Sequence, residues 1–304
     1  MAKQDFLSLL DLPSEDLQYL IQRGREMRKM QESQVVYQPL VGKTGALILE
    51  MSSTRTRVGF QAGFSQLGGN ALFLNATDTQ IGRGEPIEDL ARVLSEMVHV
   101  VMIRTLEQSH IEQLAKFASI PVINAMSSLL HPCQLLADMQ TFEELRGPIN
   151  GATVAFIGDG YNMCHSYINA ARQWDFNLKI ASPEGFLPNP EILASTNNAQ
   201  LVDCPAEAVA QADLVVTDVW SSMGHEGQET DRRSIFADYQ VNENLLDRAN
   251  KDVLFMHCLP AHRGEEVSET LLDDKRSVVF HEAGNRLHSQ KALLEFLLIG
   301  KVSD

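Results

Sequence analysis

The fold is decided by the stretch Ala46-Leu47-Ile48-Leu49-Glu50-Met51-Ser52-Ser53-Thr54-Arg55-Thr56-Arg57. An apolar run ends at Leu49 and a helical pattern follows, which is typical of a strand that leads into a helix. The first amides of a helix have no partner within it and lie at the positive end of its dipole, so they favour oxyanions. The adjacent hydroxyls and guanidiniums suit phosphate oxygens, so the stretch predicts a phosphate site. The alternative is an N-cap serine followed by a solvated basic face.

The composition indicates a globular protein with two domains. The chain has 304 residues, of which 44% are hydrophobic and 21% are charged, enough for two separate cores. The net charge of -15 argues against nucleic acid as a partner, and any anion must be held by a local cluster such as Arg55 and Arg57. No apolar signal core or membrane-spanning run is visible, so we expect a cytoplasmic protein with no membrane partner. The four scattered cysteines suit reduced thiols.

Strand and helix patterns alternate twice along the chain. Strands are predicted at 46–50, 71–74, 100–103, 121–123, 153–157, 178–181, 214–217, 253–256 and 278–280. Helices are predicted at 14–30, 88–97, 135–145, 163–174 and 285–298. The alternation predicts an α/β protein with two doubly wound domains, each with a central parallel sheet, joined by interdomain helices. We expect one domain at residues 1–133, completed by the C-terminal helix 285–304, and the other at 134–284.

Ligands of such sheets bind beyond the carboxyl ends of the strands. Arg104 directly follows one predicted strand, and His131 opens a helix after another. The loop 75–86 is longer than a usual connection, which is typical of a segment that reaches a ligand or a neighbouring subunit. These positions predict that the first domain carries the anion site.

Two segments of the second domain follow strands and carry polar groups. Gly158-Asp159-Gly160 suggests a dinucleotide turn, but the third glycine of that fingerprint is replaced by Met163. The alternative is a tight turn that leaves Asn162 pointing into a cleft. Asp218, followed by hydroxyls and a glycine at 221–224, could hold an ammonium group and present amides to a carboxylate, as an amino acid requires. Its alternative is an Asx turn beside a buried tryptophan.

The segment His257-Cys258-Leu259-Pro260-Ala261-His262 places a histidine and a thiol directly after an apolar strand. Zinc is one interpretation, although no further pair with ligand spacing is nearby. A nucleophilic cysteine is another. The sequence alone leaves both open beside a polar binding role.

Six motifs, in this order, resemble the aspartate/ornithine carbamoyltransferase family over nearly the whole chain. They are Ser53 to Arg57, Met102 to Thr105, His131-Pro132-Cys133-Gln134, Asp218 to Gly224, His257 to Pro260, and Asn285-Arg286. The Ser222-Met223-Gly224 loop with Cys258 resembles the ornithine-specific members, since the aspartate-specific ones have basic residues there.

The resemblance implies transfer of a carbamoyl group from carbamoyl phosphate to L-ornithine, giving citrulline and phosphate in arginine metabolism. It implies no cofactor and no metal, and a homotrimer or an assembly of trimers. The implied catalytic residues are Arg104, His131, Asp218 and Cys258. The implied carbamoyl phosphate contacts are Ser53, Thr54, Arg55, Thr56, Gln80, Arg104, His131, Gln134, Cys258, Leu259 and Arg286. The implied ornithine contacts are Asn162, Asp218, Ser222 and Met223.

Four residues depart from the family pattern. Met51 stands where many relatives have a lysine, which removes a positive charge near the phosphate, and Tyr161 replaces an asparagine. Gly59 and Gln61 replace a commoner serine and glutamate. Two other interpretations stay open. In the first, the acceptor is putrescine or an acylated ornithine. In the second, the chain is a weakly active paralogue that serves as a scaffold.

Overall fold

The computed structural model describes residues 3–75, 84–220 and 229–302, and the chain divides into two compact units. Unit 1 comprises Met1–Gln140 and Gly284–Asp304, and unit 2 comprises Thr141–Ala283. The chain passes from one unit to the other inside helices, because both boundaries fall within helical segments. The predicted α/β class with two parallel sheets joined by helices is confirmed.

Unit 1 is built around a parallel sheet with strand order β2-β1-β3-β4. Its strands are β1 (Thr44–Leu49), β2 (Asn70–Asn75), β3 (Val100–Arg104) and β4 (Val122–Met126). Its helices are α1 (Ser14–Glu32), α2 (Thr54–Gln66), α3 (Ile87–Met97), α4 (Gln108–Phe117), the start of α5 (Pro132–Arg146) and most of α11 (Val279–Ile299). The strands β1, β3 and β4 are almost wholly buried, as expected for a parallel sheet covered by helices.

The strand register brings the polar ends of unit 1 together. Leu49 is paired with Arg104, and Arg104 with Met126 across a register shift. The segments that follow these strands therefore leave the sheet at one edge. Beneath that edge, apolar side chains of the strands pack against α3 and α4, with Ala46, Ile48 and Leu114 at less than 2% exposure.

Unit 2 is built around a second parallel sheet, with strand order β7-β6-β5-β8-β9. Its strands are β5 (Thr153–Ile157), β6 (Asn177–Ala181), β7 (Ala199–Leu201), β8 (Leu214–Thr217) and β9 (Leu254–His257). Its helices include α6 (Asn162–Trp174), α7 (Pro190–Leu193), α8 (Pro205–Val209), α9 (Glu229–Phe236) and α10 (Glu243–Leu246). Thr217 pairs with both Ile157 and His257, so the segments after β5, β8 and β9 emerge side by side.

The strand predicted at 278–280 is wrong, because α11 already begins at Val279. The chain makes only a single bridge to the sheet there, between Phe255 and Ser277, before it turns into the helix. A run of Val278, Val279 and Phe280 has strand-like composition, but so short a run also fits the first turn of a helix, where here only Val279 of the three is buried and Phe280 is 64% exposed. Helix α4 and the short elements α7, β7, α8, α9 and α10 were not predicted.

Over the part of the chain that the structure describes, no helix combines the length and the apolar character needed to cross a membrane.

Candidate active site

The start of α2 carries the first group of polar side chains. Ser53 is its N-cap: the Thr56 N–H donates to Ser53 Oγ at 3.2 Å, and the two hydroxyl oxygens are 3.0 Å apart. The N-cap alternative was therefore right about Ser53. The cap also fixes the helix start beyond the carboxyl end of β1, where the dipole favours an anion.

Arg57 does not take part in the predicted cationic cluster, so that interpretation is wrong. Its Nε donates to Gln61 at 3.2 Å, and its guanidinium carbon lies 3.9 Å from the centre of the Phe73 ring. Arg57 is exposed, whereas Arg55 is half-buried. The difference follows from helix geometry, because residues two apart on a helix face different directions.

Instead, three guanidiniums from different parts of unit 1 interact electrostatically with His131. Burial, together with the positive charges of Arg286, Arg104 and Arg55, lowers the pKa of His131 well below its ordinary value. The imidazole is therefore neutral near pH 7 and has one N–H donor and one acceptor nitrogen. The three guanidiniums give the surroundings of this neutral histidine a positive charge, which an oxyanion bound there would compensate.

A chain of hydrogen bonds orders this group. Arg286 Nη1 donates to Gln134 Oε1 at 2.5 Å, and Arg286 Nη2 lies 3.4 Å from Thr56 Oγ1. Gln134 Nε2 in turn donates to Asp138 at 2.8 Å, one helical turn further along α5. The carboxylate fixes the orientation of the Gln134 amide, so its oxygen faces Arg286.

Arg104 ends β3 and is buried, at 5% exposure. Its backbone is held by the neighbouring strand end, because the Glu50 N–H donates to the Arg104 carbonyl at 3.0 Å. The next residue, Thr105, donates its hydroxyl to Glu50 Oε2 at 2.5 Å. We call this pair of bonds the strand-end clamp. Sequence reasoning missed it because Glu50 and Thr105 are 55 residues apart.

In unit 2, Asp218 and Cys258 form one polar group at the ends of β8 and β9. The Cys258 Sγ donates to Asp218 Oδ1 at 3.1 Å, and the Val219 N–H donates to the same oxygen at 2.8 Å. Both side chains are half-buried. Each could therefore meet a ligand that enters from solvent, and the carboxylate gives the group a negative character suited to an ammonium.

The turn after Cys258 is fixed by His257. Leu259 has φ of 55°, in the left-handed region, and its N–H donates to His257 Nδ1 at 2.9 Å. His257 Nε2 lies 3.2 Å from Glu266 Oε1 and carries the proton that this carboxylate accepts. Of the segment for which zinc was one interpretation, His257 and Cys258 do come together with Asp218, each with one potential ligand atom within 4.8 Å of the others. However, both ring nitrogens of His257 are already engaged, which disfavours the zinc interpretation.

The glycine turn after β5 is filled by the protein's own backbone. Gly160 donates its N–H to the Phe186 carbonyl at 2.8 Å, and a Cβ on Gly160 would lie 2.3 Å from Pro188 N. In a dinucleotide site the pyrophosphate makes this close approach. The geometry therefore favours the tight-turn alternative. Asn162 is the first residue of α6 and is buried at 5% exposure.

Two protein-family models together match almost the whole chain. A model of the aspartate/ornithine carbamoyltransferase carbamoyl-P binding domain matches residues 4–144, and one of the Asp/Orn binding domain matches residues 150–297. The chain belongs to the aspartate/ornithine carbamoyltransferase family. The resemblance drawn from the six motifs is thus confirmed.

This carbamoyltransferase aligns with similar proteins over almost its full length. An ornithine carbamoyltransferase of Acinetobacter baumannii is 56% identical over 299 residues, 98% of each chain. One of Chromohalobacter salexigens is 54% identical over 304 residues, 99% of this chain and 100% of the relative. A crystal structure of ornithine carbamoyltransferase from Burkholderia thailandensis has a TM-score of 0.92 at 46% identity, covering 98% and 100% of the two chains. The enzyme structure from Pyrococcus furiosus has a TM-score of 0.93 at 42% identity, covering 99% of both.

Within this carbamoyltransferase, the predicted site residues fall into three sets. The first set lies in unit 1 and comprises Ser53, Thr54, Arg55, Thr56, Arg104, His131, Gln134 and Arg286. The second lies in unit 2 and comprises Asn162, Asp218, Cys258 and Leu259. The third, Gln80, Ser222 and Met223, lies outside the described residues.

Proposed function

We propose that this chain is an ornithine carbamoyltransferase that converts carbamoyl phosphate and L-ornithine to L-citrulline and phosphate. The observation that carries the proposal is the set of guanidiniums of Arg55, Arg104 and Arg286 around the buried, neutral His131. In a chain of net charge -15, this local positive group provides the attraction for a phosphate ester.

Unit 1 is proposed to bind carbamoyl phosphate. The capped start of α2, with Ser53, Thr54, Arg55 and Thr56, offers amides, hydroxyls and a guanidinium to the phosphate oxygens. Arg104 adds a second guanidinium from the end of β3. The lysine that many relatives have at position 51 is a methionine here, so the anion depends more heavily on these two arginines.

The carbamoyl carbonyl is proposed to face the group formed by His131, Gln134 and Arg286. Attack by an amine turns this carbonyl into a tetrahedral centre with negative charge on oxygen. Donors aimed at that oxygen lower the barrier, and removing one such donor costs about 3 kcal/mol in comparable sites. His131 is suited to this task because it is neutral and keeps one N–H to donate.

Unit 2 is proposed to bind ornithine. Asp218 supplies a carboxylate for an ammonium group and Asn162 supplies an amide for the carboxylate end, with Ser222 and Met223 completing the predicted contacts. The pair of Asp218 and Cys258 at 3.1 Å disfavours aspartate, whose second carboxylate would be repelled there. We keep Gln80, Cys258 and Leu259 as predicted contacts of carbamoyl phosphate.

The side-chain amine of ornithine must lose a proton before it can attack. The nitrogen then forms a bond to the carbamoyl carbon, and the bond from that carbon to the bridging phosphate oxygen breaks. Phosphate is a good leaving group, so no covalent intermediate on Cys258 is needed. Asp218 and Cys258 are proposed to position the amine, and no cofactor or metal enters this scheme.

We also propose a role in arginine metabolism, a cytoplasmic location and a homotrimer or an assembly of trimers. The assembly follows from the family resemblance, and exposed apolar side chains on unit 1, such as Val58 at 58% and Met97 at 71% exposure, are candidate subunit contacts. Light scattering of the purified protein should give a multiple of three chains. A monomeric mass would contradict the assembly.

The enzyme assignment is tested by measuring citrulline or ureido product from carbamoyl phosphate with ornithine, putrescine, N-acetylornithine and aspartate in parallel. We expect strong preference for ornithine. Arg55→Ala should abolish most activity, whereas the matched variant Arg57→Ala should keep the KM for carbamoyl phosphate within about twofold, because Arg57 bonds elsewhere. Asp218→Asn should lose ornithine turnover.

Two outcomes would contradict the proposal. A preference for putrescine or N-acetylornithine would keep the reaction and change the acceptor. Absence of any product, while carbamoyl phosphate still raises the melting temperature, would leave a binding protein without transferase activity.

A further inference from the structure

Arg232 lies in α9 and is buried in unit 2, at 6% exposure. Its Nη1 is 2.6 Å from Asp159 Oδ2 and also donates to the backbone carbonyl of Trp220. Its guanidinium carbon lies 4.7 Å from the centre of the Phe186 ring. One side chain therefore contacts three segments that are distant in sequence.

Two of these segments carry the proposed ornithine contacts. Asp159 lies in the turn between β5 and α6, three residues before Asn162. Trp220 lies two residues after Asp218, beyond the end of β8. Strands β5 and β8 are neighbours in the sheet, and Arg232 bonds to both chain segments just after they leave it.

We propose that Arg232 is a positioning residue for ornithine: its guanidinium holds the turn that carries Asn162 against the segment that carries Asp218. This inference rests on the proposed function of unit 2. Arg232 itself touches no substrate in this scheme. It acts by fixing the distance between the Asp218 carboxylate and the Asn162 amide. These two groups are proposed to bind the ammonium and the carboxylate of ornithine.

The chemistry of the contacts explains why arginine suits this position. A planar guanidinium can stack on an aromatic ring through its face while it donates hydrogen bonds through its edge. Here the guanidinium carbon lies over the Phe186 ring, and Nη1 donates to both Asp159 and the Trp220 carbonyl. A lysine ammonium has no such plane, so it would keep the charge and lose the arrangement.

The surrounding aromatic side chains limit the movement of this group. Phe186 and Phe236 meet edge to face with centroids 4.9 Å apart, and Trp220 stacks on Phe236 at 5.8 Å. Gly160 is bonded to the Phe186 carbonyl at 2.8 Å. The turn, the aromatic cluster and Arg232 are thus joined through contacts on several sides.

A purely structural role for Arg232 predicts a different result. Removing one partner of a buried ion pair leaves an uncompensated charge and destabilises the fold. Arg232→Ala alone cannot separate the two roles, because a variant in which unit 2 unfolds would lose activity under either role. The double variant D159N/R232Q removes both charges together, and Arg232→Lys keeps the positive charge.

The experiment compares wild-type enzyme with Arg232→Lys, D159N/R232Q and the control Arg233→Gln. Arg233 is the adjacent arginine, with a side chain 61% exposed and a surface ion pair to Glu265 at 2.5 Å. For each protein, the measurements are kcat, the KM for ornithine, the KM for carbamoyl phosphate and the melting temperature.

We expect both Arg232 variants to raise the KM for ornithine by about tenfold or more. Their KM for carbamoyl phosphate should stay within about twofold of wild type, and Arg233→Gln should match wild type in every measurement. The inference is overturned if the KM for ornithine stays unchanged in folded variants. It is also overturned if the KM for ornithine and the KM for carbamoyl phosphate rise together. The same holds if kcat and the melting temperature fall while both KM values stay unchanged. Failure of the proposed function is distinct, because wild-type enzyme would then form no citrulline.

Discussion

Arg286 and Gln134 are 152 residues apart in the chain, and their side chains meet at 2.5 Å inside unit 1. The contact joins α11 to α5 and brings the guanidinium to Thr56 at the start of α2. Because Asp138 holds the Gln134 amide from the other side at 2.8 Å, the orientation of Arg286 depends on two residues of one helix.

Changes at Gln134 should therefore separate the geometry of the anion site from its charge. Gln134→Met removes the acceptor at similar size and should raise the KM for carbamoyl phosphate by about tenfold. Gln134→Glu adds a negative charge beside Arg286 and should raise it further, by about a hundredfold. Steady-state kinetics at saturating ornithine give both values. Equal effects of the two variants would mean that charge at this position does not govern affinity.

The strand-end clamp should govern the position of Arg104. Thr105→Val removes the hydroxyl bonded to Glu50 at 2.5 Å and leaves that carboxylate oxygen without its partner. We expect a rise of about tenfold in the KM for carbamoyl phosphate, with the KM for ornithine little changed. Thr105→Ser keeps the hydroxyl and is the matched control. If Val and Ser behave alike, the bond does not position Arg104.

The pH dependence of stability should reflect His131. Its pKa is lowered in the folded protein by burial and by Arg286, Arg104 and Arg55. As pH falls below about 6.5, the unfolded chain takes up a proton at this residue that the folded chain does not. The free energy of unfolding is therefore highest above that pH and falls below it, by up to about 1.4 kcal/mol per pH unit.

His131→Asn should remove this contribution. Urea unfolding of the two proteins at about pH 7.5, 6.5 and 5.5 would show a shallower acid-side decrease for the variant. Parallel curves would contradict the low pKa of the folded-state imidazole. Enzyme activity is not needed for this measurement.

Gln290 offers a test of packing beside the anion site. It is fully buried in α11, and within the described part of the chain neither of its amide atoms has a hydrogen-bond partner. Such unpaired polar atoms cost about 1–3 kcal/mol. Gln290→Met, of similar length, should therefore raise the free energy of unfolding by about 1–2 kcal/mol in urea titration. Gln290→Glu, which would bury a charge, should lower it. A less stable Met variant would indicate that ordered water satisfies the amide.

The departure at Gly59 fits this packing. A Cβ on Gly59 would lie 2.2 Å from Gln290 Oε1, so glycine lets the amide lie directly against α2. Gly59→Ala in wild type should force the Gln290 side chain to move. A serine at position 59 of this chain would likewise require a Gln290 conformation different from the one seen here.

Much of the sheet architecture could be predicted from apolar runs, because parallel strands are buried on both faces and read as continuous apolar segments. The same logic failed at 278–280, where an apolar run belongs to the start of a helix and Phe280 is exposed. Composition alone cannot separate the two cases when the run is only three residues long. The short helices of unit 2 lacked enough length to give a periodic pattern.

The candidate site was predictable where its residues form local motifs and not where contacts are long-range. The run Ser53 to Arg57 suggested two phosphate-binding arginines, but the structure turns Arg57 toward Phe73 at 3.9 Å. Glu50 and Thr105 carry no motif that links them. Arg232 and Arg233 are adjacent and identical in type, yet the Arg232 side chain is 8% exposed and the Arg233 side chain is 61% exposed. Only the fold distinguishes them.

The two helices that cross the unit boundaries impose an order on biosynthesis. Unit 2 is one continuous segment, Thr141–Ala283, whereas unit 1 needs Gly284–Asp304 to be complete. A ribosome therefore finishes the second unit before it delivers the last helix of the first. Arg286, which meets Thr56 from 230 residues away, is made only after unit 2. A nascent chain can fold its acceptor half early, but its anion-binding half acquires its third guanidinium only once the whole of unit 2 has been synthesised.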